Sequence, residues 1–331
     1  MPKALLDIPA RAGPAAYGGV DLGGTKIQTL ITDAHYGVLG ESRRPTPTTG
    51  GPHDIADAIA LAVKESAQQA GVDPTALVGV GIGSPGTIDN GSVSAAHNLP
   101  GWEGEFPLAA VLQDALGCPV SVDNDVTVAT DAEFQLGAGK PYDSLLGVFW
   151  GTGVGGGIIL DGKPWVGRGA AGEIGHMVVD RDGERCPCGR RGCMEAYAGR
   201  GPMEEYVRWR VKKGSKTNLY KLMKEHQRDR LTSSIWAKAL KSGDTLALQA
   251  VERATDAMGI AIASALNILD VQGVVIGGGL GVRLGEPYAR KIADAMMPHL
   301  FASTRPPNLH VASLGDYGGA LGGALLVTRA K

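Results

Sequence analysis

Tyr17–Thr32 reads YGGVDLGGTKIQTLIT, and Leu145–Leu160 reads LLGVFWGTGVGGGIIL. Each is an apolar run, a glycine-rich turn and a returning apolar run. In the first, residues 17–22 predict a short strand, Gly23-Gly24-Thr25-Lys26 a turn, and the alternation over 27–32 a second strand. Tyr36-Gly37 turns the chain again before a third strand from Val38 to Ser42, so the opening unit is an antiparallel meander. In the second, Gly151-Thr152-Gly153 takes the place of the first turn, and Asp161-Gly162 is a hairpin signal after the return strand. The echo suggests one architecture used twice in the chain.

The sequence between and beyond these two units alternates helix and strand. Ile55, Ile59, Ala62, Val63 and Ala67 are spaced as one face of a helix over 53–70, with Gly71 just past its end. Residues 77–82 read as a buried strand, 106–116 as a helix, 119–122 as a strand, and 126–136 as a helix that Asp125 is placed to cap. After a helical, basic stretch over 202–242, a long helix is predicted over 244–269. A buried strand follows at 274–276, then a helix at 286–300, a strand at 309–312 and a small-residue helix over 318–327. Alternation of this kind defines an α/β class, and the meander makes its sheets mixed.

Composition narrows the function. A chain of 331 residues is long enough for two packed domains. A net charge of −2 argues against nucleic acid or an anionic membrane as the main partner. The basic residues Arg208, Arg210, Lys212, Lys213 and Lys216 read as a solvated helix face. Fifty glycines, about twice the usual share, point to tight turns or close approach of backbone to a ligand. The first residues lack the apolar core of a secretory signal, and no apolar run reaches the roughly 18 residues of a membrane span. The expected compartment is the cytoplasm, where thiols stay reduced.

Three glycine turns carry the nucleotide reading: Asp21 with Gly23, Gly24, Thr25 and Lys26; Gly151, Thr152 and Gly153; and Gly277, Gly278 and Gly279. Glycine lets backbone N–H groups approach phosphate oxygens with no Cβ in the way. None matches a Walker A or dinucleotide fingerprint. Together they favour a nucleotide site, with Lys26 itself read as a solvated strand residue. At Ser121-Val122-Asp123-Asn124-Asp125 a strand ends and a helix begins. A carboxylate there either accepts a proton from a substrate hydroxyl or caps the helix, and both readings stand.

His176-x9-Cys186-Pro187-Cys188-Gly189-x3-Cys193 is the most specific local pattern. Three thiolates and an imidazole suit tetrahedral Zn²⁺, with all four positions filled by protein, so the ion is read as structural. Arg185, Arg190 and Arg191 are placed to offset the thiolate charge. Cys118 stands apart and reads as plain core. Glu173 and Glu195 flank the loop, and carboxylates are good acceptors for sugar hydroxyls. Glu195 is read as tied to the zinc loop and not to a glycine turn.

These residues together resemble the ROK family of sugar kinases, the bacterial-type glucokinases and their relatives. The resemblance rests on DLGGTK at 21–26, GIGSPG at 81–86, NLPGW at 98–102, DND at 123–125, WGTGVGGG at 150–157, GEIGH at 172–176, CPCGRRGCME at 186–195 and IGGGLG at 276–281. It implies an actin-like, ribonuclease H-like two-lobed ATPase fold, with sugar and ATP in an interlobe cleft. The expected division is a flexible lead at 1–16, a smaller lobe at 17–123 with 315–331 packing back on it, and a larger lobe at 124–314. The resemblance implies that Asp125 is the general base and that Asn98, Asn124, Asp125, Glu173, His176 and Glu195 bind the sugar. One ring nitrogen of His176 would face zinc and the other a sugar hydroxyl. The turns at 23–26 and 151–153 would face phosphates, 277–281 the adenosine, and Asp21 would help place Mg²⁺ through water. Family members often follow the base with Ala-Asn, where this chain has Val126-Thr127.

The expected reaction is transfer from ATP to glucose, with N-acetylmannosamine, fructose or allose as other acceptors and polyphosphate as another donor. A repressor of the same family is disfavoured, because only 16 residues precede the first strand. A homo-oligomer, dimer or tetramer, is the expected assembly.

Overall fold

The computed structural model describes residues 15–96 and 98–329. Most of the expected N-terminal lead, residues 1–14, lies outside the described residues, as do residues 330–331 of the expected closing segment. The described chain forms two compact units. One holds the residues up to Ala129 and from Gly319 onward, the other Thr130–Gly318.

The first unit is built on β1 (Tyr17–Leu22), β2 (Lys26–Thr32), β3 (Val38–Pro45) and β4 (Val80–Ser84), followed by a small hairpin of β5 (Thr87–Asp89) and β6 (Ser92–Ser94), and then β7 (Val120–Asn124). Five of these make one sheet in the order β3-β2-β1-β4-β7. The meander pairs antiparallel, while β1, β4 and β7 run parallel. Helix α1 (Pro52–Ala70) buries Ile55, Ile59, Val63 and Ala67, the face expected from their spacing, and ends at Gly71 with φ 68°. Helix α2 (Leu108–Leu116) buries Leu108, Leu112 and Leu116. Cys118 is core, 3% exposed.

The second unit repeats the plan. Strands β8 (Leu145–Trp150), β9 (Val154–Leu160), β10 (Lys163–Pro164), β11 (Gly273–Gly277) and β12 (Asn308–Val311) form a sheet in the order β10-β9-β8-β11-β12. Again the first three pair antiparallel, and β8, β11 and β12 are parallel. The echo in the sequence is thus a repeat of topology, strand for strand.

Between Leu116 and Leu145 runs α3 (Asp125–Leu136), in which the chain passes from the first unit to the second. The second unit then adds α4 (Glu195–Ala198), α5 (Arg200–Lys212), α6 (Leu219–Glu225), α7 (Ser233–Lys241), α8 (Thr245–Leu269), α9 (Gly278–Leu284) and α10 (Glu286–Met296). The basic stretch is therefore three helices. Asp244 caps α8 by accepting from the Ala247 N–H at 2.8 Å, and its other oxygen accepts from the Asn218 N–H at 2.6 Å. Trp150, Trp236, Met258 and Ile262 lie in the buried core beneath these helices.

The last helix, α11 (Gly318–Arg329), returns the chain to the first unit. Its small residues have a steric cause. A Cβ on Gly19 of β1 would stand 1.8 Å from the Ala320 carbonyl oxygen, and one on Gly81 of β4 would stand 1.9 Å from that of Gly323. The helix backbone packs directly on the sheet, which only glycine allows at these positions. No helix among the described residues is long and apolar enough to cross a membrane.

Glu133 closes the second unit where the chain enters and leaves it. Its side chain is buried, 2% exposed. Oε2 accepts from the Ala138 N–H at 2.9 Å and the Ser313 N–H at 3.0 Å, and Oε1 from the Leu314 N–H at 2.9 Å. Charge-assisted bonds to a buried carboxylate are among the costlier ones to lose. In Glu133→Gln one accepting oxygen becomes an NH₂ that faces donors. The variant is expected to lose about 2–4 kcal/mol of stability, read as lower urea and thermal midpoints. Unchanged midpoints would show that this clamp contributes nothing.

Candidate active site

Strand register gathers the first group of site residues. Asp21 is paired with Gly83 of β4, and Gly83 with Asp123 of β7, so all three lie in one row at the carboxyl ends of the parallel strands. Ligands of open α/β sheets gather at this edge. The turn after β1 is closed by the Gly23 N–H donating to the Lys26 carbonyl at 2.9 Å, and Thr46 braces it by donating to the Gly23 carbonyl at 2.6 Å. Lys26 is half-buried at the start of β2. Asn98 is exposed and lies against Gly24, whose Cβ would meet the Asn98 Nδ2 at 3.3 Å.

At the end of β7 the structure corrects one expectation. The helix cap is Asn124, whose Oδ1 accepts from the N–H groups of Val126 at 3.0 Å and Thr127 at 3.1 Å. Asp125 is instead the first residue of α3, its Oδ1 accepting from the Val126 N–H at 2.9 Å. The strand runs to Asn124, two residues beyond the apolar run, which moves the cap back by one. Burial pushes the Asp123 carboxyl up, against the opposing pull of the Asn124 N–H and of Arg329.

The second group lies in the second unit. After β8, the Gly151 N–H donates to the Gly153 carbonyl at 2.9 Å. After β11, Gly278 has φ 77°, and a Cβ there would stand 2.5 Å from the Trp150 carbonyl oxygen. The glycine turns of β8 and β11 therefore touch, again at the carboxyl ends of parallel strands. Gly278 and Gly279 begin α9, so this turn joins strand to helix.

His176, Cys186, Cys188 and Cys193 converge, their ligand atoms all within 4.8 Å of one another. Nδ1 of His176 lies 3.8 Å from the Cys186 sulfur, and the sulfurs of Cys188 and Cys193 are 3.7 Å apart. The S–S edge of a zinc tetrahedron with bonds of about 2.3 Å is about 3.8 Å, so the set fits a tetrahedral metal ion. The loop is shaped by Gly192, with φ 73°, where a Cβ would fall 1.6 Å from the Asp180 carbonyl oxygen. Burial pushes the Cys186 thiol up to about 12. Cys188 is held down to about 6, burial being outweighed by its hydrogen bond from Arg190. Of the three arginines expected to offset the thiolates, Arg190 touches them, whereas Arg191 donates to the Gly183 carbonyl at 3.1 Å.

Nε2 of His176 faces the other way, 3.9 Å from Oε2 of the exposed Glu173. Glu195 begins α4 with Oε1 4.0 Å from the Cys186 sulfur. Its Oε2 accepts from the Val154 N–H at 2.9 Å, and a Cβ on Gly153 would stand 2.2 Å from it. Glu195 therefore joins the cysteine loop to the glycine turn, against the expectation that it belongs to the loop alone.

Sequence reasoning missed Arg200. Its guanidinium donates to the Thr152 hydroxyl at 2.9 Å and the Ser233 hydroxyl at 3.0 Å. No motif marks it, since its partners are set by the fold.

Two mixed sheets of identical order, each with glycine turns at the carboxyl ends of its parallel strands, make this an actin-like, ribonuclease H-like α/β fold of the sugar-kinase type. The ROK family profile matches residues 17–330, and the chain belongs to the ROK family. It is a sugar kinase of that family. A glucokinase of Thermotoga maritima is 34% identical over 287 residues, 85% of this chain and 88% of the relative. An N-acetyl-D-glucosamine kinase of Salmonella typhimurium is 34% identical over 325 residues, covering 94% and 98%. Among solved structures, a ROK family glucokinase from Streptomyces griseus in complex with glucose and AMPPNP has a TM-score of 0.82 at 30% identity, covering 95% of this chain and 100% of that one.

Proposed function

We propose that the chain transfers the γ-phosphoryl group of ATP to a hexose hydroxyl, glucose being the preferred acceptor and its 6-hydroxyl the site of transfer. The observation that carries this reading is the side-chain set of Glu173, His176 and Glu195 around a His/Cys cluster that fits a metal ion, with Glu195 also bonded beside the glycine turn. Carboxylates and an imidazole in fixed positions recognise a polyol. Asn98, Asn124 and Asp125 complete the hydroxyl contacts, and Asp125 is the general base. Zn²⁺ is the ion that three thiolates and one imidazole suit, and its role is structural. The turns at 23–26 and 151–153 take the phosphates, and 277–281 the adenosine. Asp21 places Mg²⁺, which neutralises charge on the phosphates when bound.

A second reading has a specific observation behind it. N-acetylglucosamine kinases match this chain at the same identity as a glucokinase and over more of its length. Glucose is favoured by the density of polar acceptors, which leaves few apolar groups for an acetyl methyl. A site that hydrogen-bonds each hydroxyl penalises an analogue that leaves its groups unpaired. With ATP as donor, kcat/KM for glucose is expected to exceed that for N-acetylglucosamine by about tenfold or more. A preference for the acetylated sugar would move the assignment to the second reading. No turnover of any hexose, with ATP or polyphosphate, would sink both.

A further inference from the structure

Arg200 opens α5 with its guanidinium at the junction of two glycine turns. Nη2 donates to Thr152 Oγ1 at 2.9 Å, in the turn after β8. Nη1 donates to Ser233 Oγ at 3.0 Å, and a Cβ on Gly279, in the turn after β11, would lie 3.6 Å from that same hydroxyl. The backbone fixes the joint as well: the Arg200 N–H donates to the Gly151 carbonyl and the Gly201 N–H to the Thr152 carbonyl, each at 3.2 Å. Both side-chain partners are neutral, and no described carboxylate forms an ion pair with the guanidinium. Burial holds its pKa down, as does the like charge of Arg230, with Glu204 pulling the other way. A guanidinium has five N–H donors, and the two hydroxyls take only two of them.

A partly desolvated cation with spare donors and no described carboxylate in ion-pair contact, beside a glycine turn, is suited to receive an anion. We propose that Arg200 contacts the β-phosphate of the donor nucleotide, its free N–H groups donating to oxygens held at the Gly151–Gly153 turn. The inference rests on the reading above, in which that turn faces phosphates. It adds a charged side chain to what would otherwise be a cradle of backbone N–H groups, and it gives the donor site a recognition element for chain length. The competing role is a strut that ties Thr152 to Ser233 and takes no part in binding.

Arg200→Gln separates the two, because an amide still donates to a hydroxyl but carries no charge; Arg200→Met removes both functions. Mg²⁺ complexes of ATP and ADP, and AMP, are titrated against the whole chain and both variants, with sugar KM measured in parallel. Losing a charge-assisted contact is expected to weaken ATP and ADP by about tenfold to a hundredfold. AMP, which lacks the distal phosphates, is expected to change by less than about twofold in both variants, and sugar KM by a similar small amount. Wild-type ATP affinity in Arg200→Gln, or equal losses for AMP and ATP, would overturn the proposal. A wild-type chain that binds no ATP overturns the nucleotide reading itself, and this inference with it.

Discussion

Replacing Asp125 with asparagine is expected to lower kcat by about a thousandfold or more with little change in stability. The structure separates the residue from the capping role that competes for it. Asn124 accepts from the N–H groups of Val126 and Thr127, so the cap at the start of α3 is supplied by Asn124. Asparagine also retains an oxygen for the Val126 N–H that Asp125 Oδ1 accepts at 2.9 Å. What the amide loses is the capacity to take a proton from the attacking hydroxyl, together with a negative charge at the helix N-terminus, the latter worth about 0.3–1 kcal/mol. Phosphoryl transfer depends mainly on positioning and charge, and neither substrate should dissociate much more readily. Steady-state assays of ADP release should then show a collapse of kcat with KM values within a few-fold of wild type. A kcat within tenfold of wild type would remove Asp125 as the base.

Cys193→Ser is expected to release the bound metal and raise sugar KM by about a hundredfold. Cys193 is fully buried, and its backbone pairs with Val178. Serine fits the space but is a poor ligand for an ion that thiolates hold. His176 then loses the group that orients Nδ1, and Glu173 and Glu195 lose their rigid support. The bond from the Val154 N–H to Glu195 adds a second effect: KM for ATP should rise as well, because the carboxylate also braces the turn at Gly153. Metal content per chain and the two KM values read this out. A variant that keeps its ion and native KM values, or a wild type that purifies without zinc, would refute the assignment.

The sequence showed the metal cluster well and the clamps poorly, for a physical reason. The His/Cys quartet spans residues 176–193, and spacing within one loop is a local property of the chain. The sheets were legible because the pattern of apolar run, glycine turn and apolar run is also local, and it recurs. Arg200 and Thr152 are 48 residues apart, and Glu133 and Leu314 are 181 apart. Nothing in the neighbourhood of either arginine or glutamate signals a partner at that distance. The exchange of cap between Asp125 and Asn124 is a different kind of miss. Both residues are good caps, and only the parallel pairing of Ser84 with Asn124 fixes where the strand stops. The stretch 202–242 looked like one basic helical segment because exposed charges carry little periodic information. The breaks fall where Gly214, with φ 95°, and Gln227, with φ 50°, turn the backbone.

The orientation of His176 has a consequence for what the site can read. Neutral imidazole has one nitrogen with a hydrogen and one with a lone pair. With Nδ1 committed to an ion beside Cys186, the tautomer would be settled and the hydrogen would reside on Nε2, the nitrogen toward Glu173. That edge of the ring then has a fixed polarity: it donates and never accepts. A ligand oxygen placed there must offer a lone pair, and the adjacent Glu173 carboxylate must take the oxygen's own hydrogen. One hydroxyl would meet a donor and an acceptor side by side, which a ketone, an ether or an ammonium group cannot satisfy in the same way. Discrimination among polyols at this position would therefore be set by which atom must give a proton and which must receive one, before size or shape enters.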